Sequence, residues 1–525
     1  MKPQDPPSRP HLSRAVGLRL FATVFLIYLL FTGSTFEGYG EDTFRTSAGF
    51  AKALVGGGAP EHLSPQGFYL EPILGVPFYA AGALLDRLTG RADVVAFRVF
   101  AWNAFVALQA ALAVILLYVT AIKLFRSVRT ALLVALLYAF ATITFAYSGL
   151  GHETMLTLAL LASVAAIVSL SREPLVRWVV LAGLAAGATA ATKSYGALFV
   201  PFLFLYFLLA LRQHRSSRAF IEQAALFCVC VLPFAIGDLF YARILARAAG
   251  HLPGGRLTLD ASRIPFALVG MYWSAGKGFF LYNLPLLLAI PLAGAFWKSF
   301  RIEAVSFLCL ILFWSLLVAA FAPPLAWGDE MWGPRYLYPL VPLFTLVLGA
   351  MVREDDSIPL VYSIPAAVSA AAGMAIQLLG RVFPKNYVTN VFGDASLNNV
   401  ETWQYMPAFS PLRLRWYIAK AHLAGRTVEM SYAPVYLSHQ TPAGAPAAGA
   451  AVAVLPVSPS AFPPAMWWYG YLGRMLAGER SSRVVAPVIA AAVIAGAAVV
   501  SGVMLAGAAR GLSSGKAATE GKEPR

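Results

Sequence analysis

Long apolar stretches recur along the whole chain, and they constrain its fold more than any other feature. A run of roughly 17 to 25 apolar residues is long enough for a helix to cross the hydrocarbon core of a bilayer. Only 12% of the 525 residues are charged, about half the fraction usual for a soluble domain. The sequence therefore predicts an all-α, polytopic membrane protein.

About 12 transmembrane helices are predicted from these stretches. They lie near residues 16–31, 96–121, 130–147, 155–170, 178–191, 196–211, 220–241, 279–296, 305–322, 336–352, 360–379 and 484–506.

Three regions follow from this pattern. Residues 1–379 form a transmembrane domain whose first outer loop spans 32–95, and residues 380–483 form an extracytoplasmic insert. The insert contains an Ala/Pro-rich stretch, 441–465, typical of a flexible linker. Residues 484–525 supply a final transmembrane helix and a basic tail.

The formal charge is +15, and the distribution of the basic residues along the chain indicates the topology. Lys and Arg accumulate in short cytoplasmic connectors, and here they alternate between the spans, as at Lys123, Arg172 and Arg212. Both termini are therefore predicted to be cytoplasmic. The basic residues form no single patch with interleaved aromatics, so nucleic acid is not an expected partner. The Ala-rich composition suits a bacterial inner membrane.

The remaining ionisable residues converge on the outer face. They follow the first span or occupy the short outer turns: Glu41, Asp42, His152, Glu153, Lys193, Asp329, Glu330 and Arg335. An unpaired charge at membrane depth is expensive. We therefore expect these residues to line one polar cavity; ordinary solvated loop residues, or structural ion pairs such as Asp329 with Arg335, are the alternative.

Carboxylates with Arg and Lys suit group transfer from a phosphate-linked lipid to a hydroxyl. A carboxylate can take the hydroxyl proton or hold a divalent cation, while Arg and Lys bind phosphate. No residue is assigned as a metal ligand, and the use of a divalent cation is left open. The chain has no phosphate loop, since "GGGAP" at 56–60 lacks its lysine and spacing.

Three sequence elements carry a family resemblance. They are "GEDTFRTSAGFAKAL" with "LEPILGVPFYAAGALL", the turn before "TMLTLALLAS", and "GKGFFLYNLPLLLAIPLAG" followed by "WGDEMWGPRYLYPLVP". In order and sidedness they resemble the GT-C class of membrane glycosyltransferases, especially bacterial relatives of protein O-mannosyltransferases and lipid A aminoarabinose transferases. The resemblance covers about residues 16–352 and implies a GT-C-like helical bundle.

The resemblance also implies an activity and a set of roles. The enzyme would move a hexosyl or pentosyl group from a polyprenyl-phosphate donor to an envelope glycan, lipid or protein. Asp42 would be the general base, with Glu41 a weaker candidate, and Arg335 and Lys193 would contact the lipid phosphate. His152 and Glu153 occupy a turn where relatives often carry Asp.

Arg335 follows Gly333 and Pro334, so it is expected in the first helical turn of the tenth span, where anions are favoured. Trp327 and Trp332 are expected in the headgroup layer. The alternative is an arginine that only snorkels to the interface.

Two other functions stay open. A transporter or lipid flippase would use the same charges as a path, with ionisable residues continuing toward the middle of the bilayer. A non-catalytic scaffold would keep the fold alone. In the outer insert, Trp403, Trp416, Trp467 and Trp468 suit sugar stacking, although aromatic residues are more often core.

Overall fold

The computed structural model describes residues 10–33, 40–56, 69–89, 96–149, 151, 153–212, 217–249, 261–320, 332–383, 410–432, 453–457, 464, 466, 468–478 and 482–520. Most of these residues are helical. The α-helices are, in chain order, α1 Pro10–Leu30, α2 Gly40–Gly56, α3 Leu70–Leu88, α4 Ala96–Phe125, α5 Val128–Ala141, α6 Thr144–Tyr147, α7 Thr154–Arg172, α8 Val176–Thr192, α9 Val200–Arg212, α10 Ser217–Ala249, α11 Ile264–Trp273, α12 Phe279–Tyr282, α13 Ala289–Ser299, α14 Arg301–Ala320, α15 Val341–Leu348, α16 Leu360–Val382, α17 Pro411–Ala424, α18 Tyr469–Leu476 and α19 Ser482–Glu520.

Short 3-10 helices join several of them: Ser194–Phe199, Ala261–Arg263, Leu284–Leu288, Arg335–Leu340 and Gly349–Met351. Two antiparallel strands, β1 Val428–Tyr432 and β2 Ala453–Val457, pair in the outer insert with Val428 opposite Val457.

The predicted helical membrane bundle is confirmed. Among the described residues, eight helices are long and apolar enough to cross a membrane: Ser13–Leu30, Phe97–Phe125, Thr154–Arg172, Tyr195–Arg212, Arg218–Tyr241, Arg301–Ala320, Leu360–Val382 and Pro487–Ala509. The other four predicted spans coincide with shorter apolar helices, Val128–Ala141, Val176–Thr192, Leu284–Ser299 and Arg335–Met351.

These four are shorter because the chain leaves the α-helical conformation inside the apolar stretch. At the end of α5, Thr142 is extended, and its hydroxyl donates to the Tyr138 carbonyl, which the helix leaves unsatisfied. A further short apolar helix, α11, lies between the predicted spans 220–241 and 279–296. Pattern alone missed it because ten residues are too few for a span.

Small residues allow the central helices to approach closely, as in many membrane bundles. A Cβ atom at Gly183 of α8 would lie 2.7 Å from the Cys230 Cβ of α10, and one at Gly187 would lie 2.4 Å from the Phe234 ring. The last helix returns to the first, since Thr23 donates to the Ser501 hydroxyl (2.9 Å) and Arg19 to the Met504 carbonyl (3.2 Å).

The described part of the outer insert packs on the transmembrane domain. Helix α17 begins with Ser410, whose hydroxyl accepts from the Leu412 N–H, followed by Pro411 in the first turn, and it ends at Gly425 with φ +61°. These are the signals expected at the two ends of a helix. Ser410 also donates to the Gly276 carbonyl (2.6 Å), which fixes α17 to the bundle.

Candidate functional site

Glu153 stands at the centre of a buried polar cluster. It lies between α6 and α7 with φ +50°, a conformation uncommon outside glycine. Its carbonyl accepts from the N–H of Thr157 (2.8 Å) and from the Thr157 hydroxyl (2.7 Å), so the backbone is held at the start of α7. The residue is 1% exposed, and its carboxylate therefore needs partners inside the protein.

Lys193 and Tyr195 supply those partners. The Glu153 Oε1 atom accepts from the Lys193 ammonium (2.9 Å) and from the Tyr195 hydroxyl (2.5 Å). Lys193 is extended at the end of α8, and this conformation separates α8 from the 3-10 helix that carries Tyr195. Among the described residues, no group forms a hydrogen bond to Glu153 Oε2.

Nearby positive charge keeps the Glu153 carboxylate ionised. Burial alone would raise its pKa, but the charges of Lys193 and Arg335, with the Tyr195 and Lys193 hydrogen bonds, outweigh burial and lower the pKa below the ordinary value. The cluster is thus a buried ion pair with a second cation acting on it.

Arg335 is that second cation. The chain turns at Gly333, where φ is +63°, and Arg335 then begins a 3-10 helix. The expected position at the start of a helical segment is confirmed, although the first turn is 3-10 and α15 begins only at Val341. Arg335 is 4% exposed, and its Nη2 atom donates to the Tyr336 hydroxyl (2.7 Å).

Glu71 is a buried carboxyl that the sequence analysis did not select. It lies in the first turn of α3 and accepts from the Gln109 side-chain amide of α4 (3.2 Å). Burial raises its pKa to about 7, although Gln109 and Lys193 act in the opposite direction; Glu153 adds to the rise. The available signal was a carboxylate directly before the Pro-punctuated stretch "PILGVP".

Aromatic residues close the cluster on the side of α14. The Trp314 indole donates to the Tyr336 carbonyl (2.6 Å), and its ring lies 5.4 Å from that of Tyr195. On the other side, Tyr147 donates to the Trp332 carbonyl (3.0 Å). Trp314 thereby joins the segment of Arg335 to that of Lys193, and Tyr147 joins the segment before Glu153 to that before Arg335.

The expectation that Trp332 lies in the headgroup layer is wrong. Trp332 is 1% exposed, and its indole donates to the Gln377 side chain (3.0 Å) of α16. The Arg415 guanidinium lies 4.3 Å from the centre of its ring. Trp332 is buried because the end of α16 approaches it closely; a Cβ atom at Gly380 would lie 2.3 Å from the indole.

Of the predicted site residues, the structure brings together Glu153, Lys193 and Arg335. Glu41 and Asp42 lie in the first turn of α2, and their side chains are outside the described residues. His152, Asp329, Glu330 and Trp327 also lie outside them. In the described part of the chain, no three His, Cys, Asp or Glu side chains cluster as metal ligands would.

Comparisons with known proteins agree with the resemblance found in the sequence. Residues 87–243 match the family described as dolichyl-phosphate-mannose-protein mannosyltransferase. This range runs from the end of α3 into α10 and includes Glu153, Lys193 and Tyr195. No curated protein sequence matches the chain.

A solved structure is also similar, namely the crystal structure of ArnT from Cupriavidus metallidurans in the apo state. It shares 18% identity, with a TM-score of 0.42, and the similarity covers 77% of this chain and 72% of that one. The family match over residues 87–243 supports the resemblance to the GT-C class and a membrane glycosyltransferase.

Proposed function

We propose that this membrane glycosyltransferase takes a sugar from a polyprenyl-phosphate donor and transfers it to an acceptor hydroxyl outside the cytoplasm. The observation that carries the proposal is the buried cluster of Glu153, Lys193 and Arg335, which hydrogen bonds connect to α14, a helix that also lines an apolar groove. The acceptor is an envelope glycan, lipid or protein, and both termini are cytoplasmic.

The groove lies between α11 and α14. Its volume is about 330 Å³, and its lining is apolar apart from the hydroxyls of Tyr272 and Ser315, which lie 2.6 Å apart. The lining residues are Leu268, Val269, Tyr272, Trp273, Ile311, Leu312, Ser315, Leu316 and Phe344. Val269 is 62% exposed and Leu312 52% exposed, so the groove opens toward the surrounding lipid. An isoprenoid chain matches this lining because both are apolar.

Hydrogen bonds connect the helix that lines the groove to Arg335. Ser315 lines the groove, and Trp314, its neighbour in α14, donates to the carbonyl of Tyr336. The Tyr336 hydroxyl in turn accepts from Arg335. A lipid chain in the groove would therefore place its phosphate beside Arg335, whose planar fork suits phosphate oxygens.

The proposed reaction assigns each group one task. The acceptor hydroxyl oxygen forms a bond to the anomeric carbon of the sugar, and the bond from that carbon to the phosphate oxygen breaks. The leaving lipid phosphate keeps the electron pair and is stabilised by Arg335 and Lys193. The hydroxyl proton passes to Asp42, with Glu41 as the weaker candidate.

The described residues do not favour the transporter alternative. In and beside the described membrane spans, buried acidic and basic side chains lie at helix ends or in turns, as Glu153, Lys193 and Arg335 do, and Glu303 lies in the first turn of α14. Within the described spans none lies near the middle of a helix, where a translocation path would need it.

The test is transfer of radiolabelled sugar from a panel of polyprenyl-phosphate donors to total membrane acceptors. We expect wild type to transfer and Asp42→Asn to lose transfer, since an amide cannot accept the proton. Assays with a chelator report whether the acidic residues also need a metal. Full transfer by Asp42→Asn would remove Asp42 as the base. No transfer from any donor by folded protein would contradict the proposed function.

A further inference from the structure

One face of α17 in the outer insert presents cations and aromatic rings together. Arg413, Trp416, Tyr417, Lys420 and Leu423 recur at the spacing that places residues on one side of a helix. Trp416 is 48% exposed and Leu423 86% exposed. We call these five residues the basic-aromatic stripe.

The charges of the stripe are all positive. The Lys420 ammonium lies 5.5 Å from the centre of the Trp416 ring and 5.0 Å from that of Tyr417, and the Arg413 guanidinium lies 5.8 Å from the Tyr417 ring. Helix α17 contains no acidic residue. Within the described ranges no carboxylate pairs with Lys420, so its charge is available to an anion in solution.

The opposite face of α17 is already buried. Leu414, Ile418 and Ala421 pack against Phe383, at the end of α16, and against Met430 and Val457 in the two strands. An interfacial membrane helix would need that apolar face for the lipid. The exposed side of the helix carries Trp416, Lys420 and Leu423, and an aromatic ring beside a cation favours a polar ligand with flat apolar faces, as sugars have.

Contacts made by the buried side of α17 link this helix to the segments of the proposed active site. Arg415, on the buried side of α17, lies over the Trp332 ring, and the Trp332 carbonyl accepts from Tyr147. Glu153 lies six residues after Tyr147 and directly precedes α7.

We propose that the basic-aromatic stripe binds an anionic glycan, a sugar chain carrying carboxylate or phosphate groups, and that this chain belongs to the acceptor. The exposed Trp416 ring would stack on a sugar face, while the exposed Lys420 ammonium would pair with an anion. The part concerning the acceptor rests on the proposed glycosyltransferase function; the binding itself does not.

The test measures binding without any donor. Oligogalacturonate, and dextran of equal length as the neutral control, are titrated into the full-length protein in neutral detergent by calorimetry. We expect oligogalacturonate to bind more tightly than dextran, with the difference shrinking at high salt. Trp416→Ala and Lys420→Glu should each weaken oligogalacturonate binding by about tenfold. Unchanged thermal unfolding would show that both variants fold.

Lys298→Glu is the matched control, because Lys298 is an exposed lysine of α13 at the predicted cytoplasmic end. An equal loss in Lys298→Glu would mean diffuse charge attraction and overturn the proposal. So would wild-type affinity in both stripe variants. A third measurement uses nanodiscs that contain brominated phosphatidylglycerol, with Trp416→Phe as the reference for the fluorescence of Trp416. Quenching of the Trp416 fluorescence would place the stripe in lipid and would also overturn the proposal.

Sugar transfer, measured separately, distinguishes failure of the proposed glycosyltransferase function from failure of the proposed glycan site. Binding that depends on the stripe in a protein that transfers no sugar would contradict the proposed function and retain the glycan site. Transfer by a protein whose stripe variants bind oligogalacturonate normally would retain the function and remove the glycan site.

Discussion

Replacing Lys193 by Met should destabilise the protein strongly, because it removes one partner of a buried ion pair. The Glu153 side chain is fully buried and that of Lys193 is 10% exposed, with 2.9 Å between Nζ and Oε1. Breaking such a pair from one side costs about 3–5 kcal/mol. Tyr195 still donates to Glu153 and Arg335 still acts on it, so we expect a cost near 3 kcal/mol, the low end of that range.

The matched control is the exposed pair of Arg177 and Glu173. Its closest distance is 3.4 Å, and its side chains are 62% and 42% exposed. Arg177→Met should therefore cost under about 1 kcal/mol.

Thermal unfolding in detergent, followed by tryptophan fluorescence, measures both effects. Lys193→Met should lower Tm by on the order of 5 °C and Arg177→Met by about a degree or less. Adding Glu153→Gln to Lys193→Met should recover much of the loss, since the buried charge is then gone. Equal Tm values for Lys193→Met and Arg177→Met, or no recovery in the double variant, would refute the buried pair.

Three further results are expected. Glu71 has a folded pKa raised from 4.5 to about 7, so its stability penalty is absent below pH 4.5, grows as pH rises and is complete above pH 7. Glu71→Gln should accordingly gain about 2–3 kcal/mol relative to wild type between pH 4.5 and pH 8, in paired unfolding curves; a constant difference would contradict this. In the groove, Leu312→Trp should raise KM for a long-chain donor several-fold and leave a short-chain analogue unaffected, whereas equal effects on both donors would remove the groove as the chain site. Gly333→Ala should destabilise by about 1–2 kcal/mol, because φ is +63° and the new Cβ would lie 2.9 Å from Ile143; an unchanged Tm would show that the turn relaxes.

The helices and part of the site could be predicted from the sequence because their signals are local. Apolar runs set the spans, although breaks such as that at Thr142 depend on local hydrogen bonds. Glu153, Lys193 and Arg335 could be selected since each is an ionisable residue beside a short outer turn. Their convergence needed only that the three turns lie at the same end of the helical bundle.

The rest of the site depends on packing that no local pattern encodes. Glu71 joins the site only because α3 packs on α4 and brings it to Gln109. Tyr195 resembles any aromatic residue at a span end until the turn at Lys193 directs it to Glu153. Trp332 matched the composition of an interfacial belt, but the glycine at 380 lets α16 cover it.

The central claim is that Arg335 binds the phosphate of a lipid donor, and direct binding of sugar-free polyprenyl phosphate tests it most closely. The protein is compared with Arg335→Lys, which keeps the charge and loses the planar fork, and with Arg129→Lys, a change at an exposed arginine in the first turn of α5, as the control. We predict at least about tenfold weaker binding for Arg335→Lys and no change for Arg129→Lys. Equal binding by all three proteins would contradict the assignment of Arg335 to the phosphate.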